Sequence, residues 1–133
     1  MFLELLQQIL ERPRPWQRRL AWLSLVTLIA ALFYFGSRPN AGGLFPSGWD
    51  KLIHALFFGG VAALAYVGSG SRRPFLSVFL IAVLGMLDEV GQSFNPVRVA
   101  SVADWAMDIV GACLAMVVVR VLAATVRARR DAA

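Results

Sequence analysis

Four stretches of this chain, residues 20–36, 52–68, 75–94 and 105–124, are almost wholly apolar. Each approaches the roughly 20 residues that carry a helix across a hydrocarbon core. The acidic residues inside them keep towards one end, with Asp88 and Glu89 late in the third stretch and Asp108 early in the fourth, and Arg120 lies near the fourth's close. Between the stretches, residues 37–50, 69–73 and 95–104 are rich in Pro, Gly, Asn and Ser and read as loops. Lipid offers no water to backbone polar groups, so apolar segments of this length satisfy their own hydrogen bonds as helices. The pattern predicts an all-α polytopic membrane protein: a four-transmembrane-helix bundle occupying residues 1–133 as one domain, with no internal repeat.

The segment before the first span has a different rhythm. Phe2, Leu5, Leu6, Ile9 and Leu10 fall along one helical face, with Glu4, Gln7, Gln8 and Glu11 facing away. That arrangement predicts a short interfacial helix, ended by Pro13 and Pro15. The first span is expected to be uncleaved, because its apolar run is long and no small-x-small site follows it.

Composition agrees with this reading. At 59% hydrophobic residues and a mean hydropathy of +0.67, the chain is more apolar than a soluble domain, which sits near roughly half. Cys113 is the sole cysteine, so neither an intrachain disulfide nor a thiol metal cluster is available. The net charge of +5 comes from basic residues flanking the spans, which suits anionic lipid head groups; no nucleic acid is expected as partner. Arg12, Arg14, Arg18, Arg19, Arg72, Arg73, Arg127, Arg129 and Arg130 put nine cations on one side, against three from Arg38, Lys51 and Arg98 on the other. By the positive-inside rule, both termini are expected to be cytoplasmic in a multi-pass plasma-membrane protein.

With that topology, Asp50, Lys51, His54, Asp88, Glu89, Gln92, Arg98, Asp104 and Asp108 all fall in one layer near the outer face. Five of the eight acidic residues are in it. Asp50 with His54, Asp88 with Gln92 and Asp104 with Asp108 are spaced i, i+4, so each pair shares a helical face. A charge at the centre of a membrane helix costs roughly 2.5–3.5 kcal/mol against about 0.3–0.6 gained per Leu, Ile, Phe or Val. Asp88 and Glu89 are therefore expected to face the bundle interior or a wet cavity, partnered by Lys51, His54 or Arg98.

The order D50-K-L-I-H54, D88-E-V-G-Q92, Arg98 and S101-V-A-D104-W-A-M-D108-I-V-G111 resembles the VanZ-like family of bacterial membrane proteins over residues 50–118. That family is named after a glycopeptide (teicoplanin) resistance protein. The resemblance implies a cell-envelope role and leaves the activity open. Asp108 departs from it, since the family commonly has Asn there, and a carboxylate at this place puts in doubt any role that needs a neutral amide.

Chemical and structural readings stand side by side. His54, Asp88 and Glu89 are the candidate acid/base groups or hard ligands of a divalent cation, with the metal unassigned. Asp50, Lys51, Gln92, Arg98, Asp104 and Asp108 are the candidate ligand-binding residues. Arg98 has the fork geometry to clamp a phosphate or carboxylate, and Asp104 is also placed to cap span four. The alternative is an ion-pair cluster that only locks the helices. Gly59 with Ala63 and Gly111 with Ala115 read as close helix contacts. No nucleotide-binding, HExxH or nucleophile-elbow motif is present. The expected partners are membrane lipids and an outer-leaflet anionic lipid or cell-wall precursor. Four short spans would enclose a transport path only as a homo-oligomer.

Overall fold

The computed structural model describes residues 2–38, 49–95 and 99–132, and among them every regular element is a helix. These are α1 (Phe2–Glu11), α2 (Pro15–Gly36), α3 (Asp50–Gly68), α4 (Pro74–Ser93) and α5 (Val102–Asp131). The last four are long and apolar enough to cross a membrane, which marks the chain as a multi-pass membrane protein.

Helix ends follow local chemistry. Proline opens both α2 and α4, where its missing N–H is no loss. The Arg14 N–H donates to Gln17 Oε1 at 2.7 Å, which starts α2 five residues before its apolar run. The chain reverses after α3 through Gly70 and Ser71, both at positive φ (88° and 58°). Helix α5, with 30 residues, is roughly 45 Å long against a hydrocarbon core of about 30 Å. Its last turns, with Arg127, Arg129 and Arg130, extend past the apolar layer.

Each spanning helix buries one stripe and gives the rest to lipid. In α2 the stripe is Gln17, Ala21 and Leu25, at four-residue spacing. In α4 it is Ser77, Ile81, Gly85, Asp88, Glu89 and Gln92. Phe58, Val61, Ala62, Ala65 and Tyr66 of α3 meet Ile81 of α4 and Ala112 and Met116 of α5 in the core. Phe75, Phe79, Leu23, Leu56 and Val117 lie on the outside, apolar surface that only lipid would cover.

Helices α3 and α5 pack most closely, through small residues. A Cβ at Gly59 would stand 3.0 Å from the Gly111 carbonyl oxygen, and one at Gly111 would collide with the Ala55 carbonyl. Without a hydrophobic drive between helices in lipid, such close backbone approach is a main source of attraction.

One end of the bundle gathers the basic segments. Arg18 Nε donates to the Gly68 carbonyl at 3.1 Å, and Ser71 Oγ donates to the Ile9 carbonyl at 3.0 Å. Arg127 donates from Nε and Nη2 to Glu11 Oε1 at 3.0 and 2.7 Å. This contact, with a hydrogen bond from Gln7, holds the Glu11 carboxyl below its ordinary value. Helix α1 is thus docked against α5, with Leu10 buried beside the bundle and Leu5 exposed.

Candidate functional site

The opposite end of the bundle holds the acidic layer. His54 is the fifth residue of α3, Asp88 and Glu89 lie in the last two turns of α4, and Asp104 and Asp108 lie in the first two of α5. At 1.5 Å per residue, His54, Asp88 and Asp108 all sit roughly 6–10 Å inside the helix ends. Three helices therefore deliver their polar residues to one depth.

The centre of the layer is a histidine–carboxylate pair. His54 Nδ1–H donates to Asp108 Oδ1 at 2.8 Å. A carboxylate only accepts, so with Asp108 ionised this bond places the proton on Nδ1, and in the neutral imidazole Nε2 is then the nitrogen with a free lone pair. The imidazole stacks on Phe58, with centroids 6.1 Å apart, and Asp108 is fully buried. Gly85 of α4 makes room for Asp108, since a Cβ there would lie 2.5 Å from Oδ2.

The two carboxylates that interrupt span three point inward and are individually supported. Gln92 Nε2 donates to Asp88 Oδ2 at 2.8 Å, which gives Gln92 the role of an orienting amide. The Ser101 N–H donates to Glu89 Oε2 at 2.5 Å. Donor atoms of His54, Asp88 and Glu89 all lie within 4.8 Å of one another.

Several expected contacts are arranged otherwise. Ser101, not Asp104, caps α5: its Oγ accepts from the Asp104 N–H at 3.3 Å. Asp104 falls three residues into the motif, where a capping-box acid would normally accept the cap residue's N–H, and Glu89 of α4 takes that bond instead. The signal S101-V-A-D104 was readable, but the substitution by a residue of another helix was not. Lys51 lies on the rim, 3.7 Å from Asp104 Oδ1 and 3.6 Å from Asp50 Oδ2, rather than against Asp88 or Glu89. At 3.7 Å that contact is an ion pair without a hydrogen bond, so Asp104 Oδ1 counts among the buried oxygens lacking one. Asp50 is exposed and belongs to the edge of the layer. Arg98 lies outside the described residues.

Two further features escaped the sequence. Trp105 donates its Nε1–H to the Ala82 carbonyl at 2.8 Å and ties α5 to α4 one turn from Gly85. Glu89 Oε1 and Asp108 Oδ2 are buried without a hydrogen-bond partner. A cleft of about 530 Å³ lies at the other end of the bundle, lined by Glu4, Gln7, Gln8, Glu11, Arg12 and Arg130. Its lining is long, partly or fully exposed side chains, whereas the acidic layer is buried and hydrogen-bonded between helices, so the layer is the better candidate for chemistry.

No curated protein and no solved structure matches the chain significantly. The VanZ/LLP1 family model matches residues 1–123, a longer reach than the polar blocks over residues 50–118. It covers all five helices at least in part and every candidate residue of the acidic layer. The chain belongs to the VanZ/LLP1 family.

Proposed function

We propose that this protein sits in a bacterial plasma membrane with both termini cytoplasmic, and binds an anionic group of the outer leaflet in its acidic layer. The group is a lipid phosphate or a cell-wall precursor, and the consequence is an altered envelope, with tolerance of glycopeptide antibiotics as the phenotype the family name suggests. The observation that carries this reading is the meeting of His54, Asp88, Glu89 and Asp108 from three helices in one buried layer. Ionisable residues inside a membrane are expensive, and such convergence is what a ligand site requires. If the site also modifies its ligand, His54 serves as acid or base and Arg98 stabilises developing charge.

The network of bonds around Asp88, Glu89 and His54 also favours a second reading, a non-catalytic protein whose polar cluster fixes the helices. Thermal unfolding in detergent separates the two. A ligand bound only by the folded protein raises its stability by mass action. Phosphate-bearing lipids are expected to protect the wild type more than neutral glycerolipids with the same chains, and to protect Arg98→Ala no better than the neutral lipids do. Arg98→Lys keeps the charge without the fork and is expected to behave like Arg98→Ala. Equal protection of wild type by both lipid classes overturns the anion reading.

A further inference from the structure

We propose that His54, Asp88 and Glu89 form a binding site for a first-row divalent cation, with Asp108 orienting the imidazole. The proposal deepens the reading of this layer as an anion site, because four carboxylates, Asp88, Glu89, Asp104 and Asp108, would by themselves repel an anion. Among the described residues Lys51 is the one ammonium against them, and it sits on the rim with half its side chain exposed. A bound cation reverses the sign of the layer and bridges to a phosphate or carboxylate.

Three observations support the site. The donor atoms of His54, Asp88 and Glu89 lie within 4.8 Å of one another. Three ligands around an ion at about 2.1 Å lie roughly 3.0–3.6 Å apart, so the shell closes with side-chain movements of up to about 1 Å. Next, Glu89, at 9% exposure, has Oε1 buried and without a hydrogen-bond partner while Oε2 is fixed by the Ser101 N–H. A buried, unpartnered carboxylate oxygen within a set of metal-type donors is a coordination position. Finally, the His54–Asp108 bond is the carboxylate–histidine arrangement that fixes a ligating imidazole: it holds the proton on Nδ1 and presents Nε2. Gln92 does the same for Asp88, leaving its other oxygen for the ion. One imidazole with two carboxylates is a mixed set, which suits Mn²⁺ or Zn²⁺ better than Mg²⁺ or Ca²⁺.

The test uses full-length protein in detergent, carrying Cys113→Ala to remove the exposed thiol as a zinc ligand. After treatment with a chelator, Mn²⁺, Zn²⁺, Mg²⁺ and Ca²⁺ are titrated in the absence of added lipid, by calorimetry and by equilibrium dialysis with elemental analysis. One Mn²⁺ or Zn²⁺ per chain is expected, with at least tenfold weaker binding in His54→Ala and Glu89→Gln. Asp108→Asn is expected to weaken binding by about 10–100-fold, as loss of an outer-shell partner does. Lys51→Ala should bind as tightly as the parent or more tightly. Circular dichroism of each variant separates lost ligation from lost folding, and if either ligand variant unfolds, the Mn²⁺ resonance spectrum of the parent reports nitrogen coordination directly. No saturable binding, a preference for Mg²⁺ or Ca²⁺, or unchanged affinity in folded His54→Ala and Glu89→Gln would each overturn the proposal. Binding of the ion without protection by phosphate lipids would leave the cation site standing and remove the anion reading alone.

Discussion

Three glycines in the bundle should respond to alanine in a fixed order, because the space beside each is different. At Gly60 a Cβ would meet nothing within 4 Å, and the position faces outward. Alanine there should be neutral or stabilising by up to about 1 kcal/mol, the helix-propensity difference. At Gly85 a Cβ would come 2.5 Å from Asp108 Oδ2 and 3.2 Å from Trp105 Cδ1. Asp108 is enclosed, so its carboxylate must swing, straining the bond to His54. Overpacking of this kind costs roughly 1–3 kcal/mol, and loss of a charge-assisted hydrogen bond about 1.5–3. At Gly111 the Cβ would run into the backbone carbonyl of Ala55, with the Ala55 Cα also only 2.7 Å away. Neither atom can rotate aside, so α3 and α5 must separate along the seam that Gly59 and Ala115 also form. The expected loss is about 3 kcal/mol or more, the upper end of overpacking. Unfolding of purified protein by heat or by a denaturing detergent would measure the series. Gly60→Ala as damaging as Gly111→Ala, or an unaffected Gly111→Ala, would refute the packing argument.

Other outcomes follow from single contacts. Glu11→Gln should cost only about 0.2–1 kcal/mol, because the Arg127 side of the pair is well exposed and screened by salt. Since the Glu11 carboxyl is held below its ordinary value of 4.5, that contribution is present above pH 4.5 and is lost as pH falls through the lower folded value, which acid titration of stability in wild type and Glu11→Gln checks. Asp108→Asn should leave folding nearly unchanged, since an amide oxygen accepts from His54 Nδ1–H as a carboxylate does, whereas Asp108→Leu should lower thermal stability by orphaning that donor. Reporters fused after Arg130 or within residues 69–73 should read cytoplasm and one within residues 40–45 outside; the opposite pattern would turn the acidic layer inward.

The spans were legible because an apolar run of about 20 residues has few other stable outcomes. Their ends were less so. Helix α5 continues to Asp131, seven residues past the apolar run, because Arg127 docks on Glu11 of α1, and a partner 116 residues away leaves no mark in a hydropathy window. The inward face of α4 was written in its spacing: Ser77, Ile81, Gly85, Asp88 and Gln92 recur every three or four residues, so the acids share the stripe that packs. The individual partners were not. Glu89 accepting the cap N–H of α5 and Trp105 reaching the Ala82 carbonyl depend on how α4 and α5 meet, which no local pattern encodes.

The small residues and the charged ones turn out to be one device. Gly111 lies three residues beyond Asp108 on α5, and Ala55, whose carbonyl it approaches, follows His54 on α3. This close approach of α3 and α5 is therefore about one turn from the histidine–carboxylate pair. Helices pack in general with axes 8–10 Å apart, a distance set by the side chains at the contact. With glycine at the crossing the backbones close in, and only then does a short Asp side chain reach an imidazole on the neighbouring helix at 2.8 Å. Substitution at 111 should then disturb His54 and Asp108 before it unfolds the bundle. A residue with no polar side chain thereby becomes a determinant of the site's chemistry.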